Sequence, residues 1–209
     1  FYQPDGVIID CSFLKTLDRD NFLSGYAEMI KHGLISNPES LHEVLAFDIE
    51  QKEIDIEILN NLVSASVAIK ERIVKEDPKE MGIRKALNFG HTIGHAIESL
   101  SFAKKTPILH GHAVAAGSIC ELYLSHKMSG LPVEIVRRVT NFIKEYYPPF
   151  FFSCDNYDML YEFMTHDKKN EGGHIFFTLL GDIGDIRINQ EISREMVLES
   201  LDFYRENMY

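Results

Sequence analysis

Arg84, Asn88, His91 and His95 crowd into one short stretch, RKALNFGHTIGH. Histidines at i and i+4 share one face of a helix, about one turn apart. Asn88 and Arg84, three and seven residues behind His91, line the same side. Polar groups on an otherwise apolar face must be paired or given chemistry to do. The pair His91 and His95 has the HxxxH spacing of metal ligands, but Thr92 stands where a HExxH protease carries its general base. A catalytic metal site needs a third protein ligand and an open position, for which Glu28, His110 and His112 are candidates. Read from spacing alone, the alternative is a set of histidines hydrogen-bonded in a core. Lys31, Lys70, Arg84, Lys168 and Lys169 would suit an anion, lysine as a point charge and arginine as a carboxylate clamp. Glu28 and Lys31, at i,i+3, read from spacing as a surface ion pair of small consequence.

Helices must position most of these groups. Periodicity predicts helices over 19–36, 38–45, 54–73, 84–100, 108–128, 131–146 and 157–164, and another from a Ser193 cap. Asp18 is the expected N-cap of the first. The 54–73 helix, with Ile54, Ile58, Leu62, Ala65, Ile69 and Ile73 in step and Leu59, Val63 and Val67 beside them, has the broad stripe of a central bundle helix. Gly111, Ala113, Ala115, Ala116, Gly117 and Ser118 make one side of the 108–128 helix small, so a backbone or a ligand can approach it closely. Val7-Ile8-Ile9 reads as a buried strand, and 175–180 with 183–188 as a hairpin turning at Gly181-Asp182. The fold class is therefore mainly α, a helical bundle with a small β-hairpin, as one domain over 1–209.

The totals bound the function. A net charge of −11 over 209 residues argues against non-specific nucleic-acid binding. No apolar run is long enough to span a membrane. Three scattered cysteines with no CxxC favour reduced thiols and a cytoplasmic setting. The chain opens on Phe1, without an initiator Met, and reads as a piece of a longer protein.

Several motifs in order then carry a resemblance. They are Phe13-Leu14-Lys15-Thr16-Leu17, Gly25-x-Ala27-Glu28-x-Ile30-Lys31, Lys70, Asp77-x-x-Glu80-x-Gly82-x-Arg84, Asn88-x-Gly90-His91-Thr92-x-Gly94-His95-Ala96-Ile97-Glu98, Leu109-His110-Gly111 and Asp167-Lys168-Lys169. Together they resemble the C-terminal, metal- and substrate-binding domain of the 3-dehydroquinate synthase family. The resemblance implies that an N-terminal Rossmann-like, NAD-binding domain is missing, with residues 1–10 a strand from the interdomain region. It implies a divalent metal, zinc or cobalt, on Glu28, His91 and His110. It turns His95, Lys31 and Lys70 to catalysis, and Arg84, Asn88 and Lys168 or Lys169 to substrate. Phe13, Leu14, Lys15 and Thr16 would touch NAD.

The implied reaction belongs to the shikimate pathway of aromatic amino-acid biosynthesis. A seven-carbon phosphorylated keto acid, DAHP, becomes 3-dehydroquinate with loss of phosphate through oxidation, elimination, reduction and aldol closure. The full-length protein would be a cytoplasmic homodimer, and the isolated chain would not turn over. His112 stands where the family has Glu, which implies a changed partner behind the metal. The rivals are a related sugar-phosphate cyclase whose substrate lacks a carboxylate, a metal-dependent polyol dehydrogenase, and a non-catalytic helical binding module.

Overall fold

The computed structural model describes residues 6–51, 55–166 and 175–209. Eight α-helices and one hairpin are found among them: α1 (Arg19–Leu34), α2 (Pro38–Ala46), α3 (Ile56–Glu76), α4 (His91–Ala103), α5 (His110–Ser129), α6 (Val133–Tyr146), α7 (Tyr157–Thr165), β1 (Phe176–Asp182), β2 (Asp185–Glu191) and α8 (Arg194–Met208). Two six-residue 3-10 turns matter to function, Cys11–Thr16 and Ile83–Asn88.

The central helix is α5, not α3. Fourteen of its twenty residues are buried, and α1, α4, α6, α8 and β1 all pack on it. A helix covered on all sides has no polar face to reveal its orientation. In α3 only Leu59, Leu62, Ser66 and Ile73 are buried, while Ile58 is 50 % and Val67 39 % exposed. Its stripe is wide because Leu59, Val63 and Val67 also wall an apolar groove of about 210 Å³ with Leu14, Leu17 and Phe22. Ile54 lies outside the described residues.

The expected strand at Val7-Ile8-Ile9 does not form: the sheet contains only β1 and β2, and Ile8 is 98 % exposed. A strand needs a neighbour, and the described residues offer it none. The hairpin turns two residues later than expected, at Ile183-Gly184, between the paired Asp182 and Asp185. Gly184 takes φ +79°, a conformation cheap only for glycine, and its N–H donates to the Leu34 carbonyl at the end of α1 (3.0 Å). The hairpin also braces the turn before α4. Thr178 donates to the Lys85 carbonyl (2.8 Å) and Lys85 to the Asn189 side chain (2.8 Å).

The stretch from Arg84 to His95 is two elements. The Ile83–Asn88 turn ends at Phe89, Gly90 takes φ +78°, and α4 starts at His91. Arg84 and Asn88 therefore do not share a helix face with His91, although the fold brings them to one cleft. Residues 101–103, beyond the expected helix end at Leu100, extend α4.

Candidate metal centre and substrate cleft

Three helices meet where their backbones touch. Gly111, next to His110, lies so close to α1 that an added Cβ would come within 1.8 Å of the Ser24 carbonyl oxygen. Its N–H donates to the Ser24 hydroxyl (3.0 Å). Gly117 of α5 faces the start of α4, where a Cβ would meet the Gly90 carbonyl oxygen at 2.2 Å and Gly94 N at 2.5 Å. Glycine removes the side-chain layer that normally separates helix axes. The result brings together Glu28 from α1, His91 from α4 and His110 from α5.

Glu28 Oε1 lies 3.3 Å from His91 Nε2 and 3.6 Å from His110 Nε2. A tetrahedral ion with bonds of about 2.0–2.1 Å has ligand-to-ligand edges of about 3.3–3.4 Å, so the spacing fits such an ion. The other ring nitrogens are committed. His91 Nδ1–H donates to the Phe89 carbonyl (3.0 Å) and His110 Nδ1–H to Glu98 Oε2 (3.2 Å). Both partners only accept, so each Nδ1 carries a proton and each Nε2 faces Glu28, as a donor to it when the ring is charged and as a candidate metal ligand when it is neutral. One ring nitrogen each from His91, His95 and His110 also cluster within 4.8 Å. The two donor sets share His91 and His110 and differ in the third member. The donors suit a divalent ion of zinc or cobalt type.

The electrostatics keep a charged carboxylate between the two rings. Burial pushes the Glu28 carboxyl up, but hydrogen bonds from His110 and His91 and the Lys31 charge outweigh it and hold it well below the carboxylate range. Burial holds His91 below its ordinary value despite its bond to Glu28, whereas the Glu28 bond holds His110 above. Lys31 is 3 % exposed. It donates to Glu28 and to the Leu87 carbonyl (3.0 Å). This overturns the surface-pair reading: the same i,i+3 spacing occurs on a buried face.

Beside the centre opens a cleft of about 370 Å³, lined by Glu28, Lys31, His32, Lys70, Glu80, Arg84, Leu87, Asn88, His91 and His110. Its far wall is the loop before Arg84, built by one carboxylate. Asp77 accepts from the N–H groups of Met81 (3.0 Å), Gly82 (2.7 Å) and Arg84 (3.1 Å). Arg84 donates to the Pro78 carbonyl (2.9 Å), and Asn88 to Glu80 (2.9 Å). A roomier groove of about 490 Å³ lies elsewhere, and its described walls include Glu43 and Asp48, the wrong sign for an anion.

Of the expected site residues, Glu28, Lys31, Lys70, Arg84, Asn88, His91 and His110 line this one cleft. His95 stacks edge-on against His91, with ring centroids 5.3 Å apart. Phe13, Leu14, Lys15 and Thr16 form the 3-10 turn beside the apolar groove, Phe13 exposed and Leu14 in the groove wall. Lys168 and Lys169 lie outside the described residues. The expectation for His112 fails. Its ring is buried, with Nε2 3.1 Å from the Asp20 carbonyl, against Tyr147 and away from the cleft. The carboxylate behind His110 is Glu98, one residue of a motif that gave no sign of this role.

The same fold makes up about half of each of two longer solved chains. The 2-epi-5-epi-valiolone synthase of Streptomyces hygroscopicus, solved with NAD+ and Zn2+, matches at TM-score 0.80 and 21 % identity over 94 % of this chain and 54 % of its own. A 2-deoxy-scyllo-inosose synthase complexed with carbaglucose-6-phosphate, NAD+ and Co2+ matches at 0.71 and 20 %, with the same coverage of each chain. These likenesses establish the fold. The family described as 3-dehydroquinate synthase C-terminal matches residues 25–170, and the chain belongs to it. The 3-dehydroquinate synthase of Parabacteroides distasonis is 67 % identical over 99 % of this chain and 58 % of its own length. That of Leptospira interrogans is 40 % identical over 91 % and 53 %. The chain thus spans little more than half the length of these curated relatives.

Proposed function

We propose that this chain is the metal- and substrate-holding part of a 3-dehydroquinate synthase that converts DAHP to 3-dehydroquinate and phosphate. The observation that carries the reading is the Glu28 carboxylate set between two Nε2 atoms at tetrahedral spacing. It borders a cleft whose cations, Lys31, Lys70 and Arg84, suit a phosphorylated acid. Glu28, His91 and His110 are the ligands, in preference to a three-histidine set, because the Nδ1 tethers aim both rings at Glu28. His95 then stands outside the ligand set.

When bound, the divalent ion supplies Lewis acidity toward substrate oxygens and NAD supplies a reversible hydride acceptor. The protein's own groups bind and orient. Arg84 clamps the substrate carboxylate bidentately, with Asn88 beside it and a lysine of the pair Lys168 and Lys169 assisting. Lys31 and Lys70 stand as point charges near substrate oxygens, and His95 holds or moves a proton next to the reacting carbons. This chain offers NAD only a wall, the turn Cys11–Thr16 and its apolar groove; the rest of the cofactor site belongs to an N-terminal domain. The whole enzyme is a cytoplasmic homodimer.

The test is turnover. Full-length protein loaded with zinc or cobalt and NAD should release phosphate from DAHP without net NADH, while the 209-residue chain alone should not. Turnover of a sugar phosphate lacking a carboxylate, with none of DAHP, would replace this reading with that of another cyclase. Net NADH release would make it a dehydrogenase.

A further inference from the structure

His91 is the first residue of α4, and a helix start leaves several backbone N–H groups without intrahelical partners. A Ser, Thr, Asp or Asn at the N-cap usually satisfies one of them. Here the N-cap is Gly90, which has no side chain to offer. The acceptor comes from another helix. Glu121 of α5, with no exposed surface at all, accepts from Gly90 N through Oε2 (2.7 Å) and from Ile93 N through Oε1 (3.2 Å). A carboxylate is costly to bury unless opposite charge or donors meet it, and the positive end of α4 supplies both.

The two bonds bracket His91 on either side. Its ring is held at Nδ1 by the Phe89 carbonyl. Beneath, Gly90 is pressed on α5 so closely that a Cβ would lie 2.3 Å from the Ser118 hydroxyl. With its backbone pinned from both sides and its ring tethered, His91 has little freedom to move Nε2 relative to Glu28. We infer that Glu121 is a positioning residue for the metal centre: its buried carboxylate fixes where the His91 ligand stands without touching the ion. The inference rests on the proposed metal centre.

An ordinary helix cap would affect folding stability alone, so metal affinity of the folded protein separates the two roles. Glu121→Gln keeps the shape but turns one acceptor into an NH2 group that cannot receive an N–H. Full-length wild type and variant are titrated with zinc against a chromogenic chelator at 20 °C, with far-UV circular dichroism to check the fold. Stoichiometric zinc on wild type, lost in Glu28→Ala, is required by the centre itself; without it the metal reading fails first. Given that, the inference expects E121Q to hold zinc roughly tenfold or more weakly with an unchanged spectrum. Wild-type affinity in folded E121Q overturns it. Should E121Q not fold, Glu121→Asp, which keeps the charge but withdraws it by one methylene, carries the same comparison. If neither variant folds, Glu121 is a folding residue and the inference falls.

Discussion

Replacing Gly111 by Ala adds one methyl group where α5 crosses α1. The new Cβ would stand 1.8 Å from the Ser24 carbonyl oxygen and 2.5 Å from its carbon, and real Cβ contacts essentially never fall below 3.0 Å. The obstacle is backbone, so no rotamer change relieves it. Restoring a normal contact moves the start of α5 away from α1 by at least about 1.2 Å, in a core that yields little. His110 is the preceding residue and Glu28 lies one turn beyond Ser24, so much of the displacement opens the distance between two ligands. Metal bonds tolerate only about 0.2 Å. Overpacking should cost about 1–3 kcal/mol, offset by up to about 1 kcal/mol for exchanging glycine in a helix. The variant should therefore fold, melt modestly lower without metal, and bind zinc at least on the order of 100-fold more weakly than wild type. Chelator competition measures the affinity, and melts with and without zinc separate the two effects. Gly25→Ala on α1, where a Cβ meets nothing within 4 Å, is the control and should gain about 0.5–1 kcal/mol. Wild-type zinc affinity in Gly111→Ala would refute the account of how this crossing sets the ligand geometry.

Other perturbations test other parts of the site. Glu98→Gln should weaken zinc by about 10- to 100-fold, because an amide cannot hold His110 Nδ1–H as the carboxylate does; unchanged binding in the titration would remove Glu98 from that role. Asp77→Ala should release the loop that presents Arg84 and raise KM for DAHP several-fold, roughly, with kcat little changed; a selective fall in kcat would contradict this. His32 donates to or accepts from Ser66 (2.6 Å). Burial, then the Lys31 charge, pushes it down to about 3, so the folded state keeps it neutral. The unfolded chain takes up that proton from about pH 6.5 downward, so its contribution is present above that pH. As pH falls toward 3 it is lost at about 1.4 kcal/mol per unit. Urea unfolding of metal-free protein between pH 7 and 5 should show a shallower decline in His32→Gln; parallel curves would exclude His32.

The sequence was most legible where chemistry needs a rare residue at a fixed place. Of the groups named from the motifs, Glu28, Lys31, Lys70, Arg84, Asn88, His91 and His110 line one cleft, and the Asp18 cap of α1 is present, accepting from Asn21 N (2.9 Å). Periodicity misled where a glycine changed the backbone direction. At Gly90 the spacing of a continuous helix ran across a break, and at Gly184 the hairpin closed two residues late. The importance of α5 was hidden for the opposite reason, since complete burial erases amphipathic contrast while α3 borrowed its contrast from a groove. Glu98 and Glu121 act across helix interfaces, and spacing along the chain carries no trace of contacts between helices.

The break at Gly90 has a consequence for inheritance. The last bond of the upstream turn runs from Phe89 N to the Ala86 carbonyl, and the first of α4 from Gly94 N to the Gly90 carbonyl. No residue belongs to both. The hairpin steadies the upstream side through Lys85, and α5 steadies the downstream side through Glu121. Arg84 and Asn88 thus sit on one side of a joint and His91 and His95 on the other. A lineage can retailor what the cleft grips without disturbing the helix that bears the histidines.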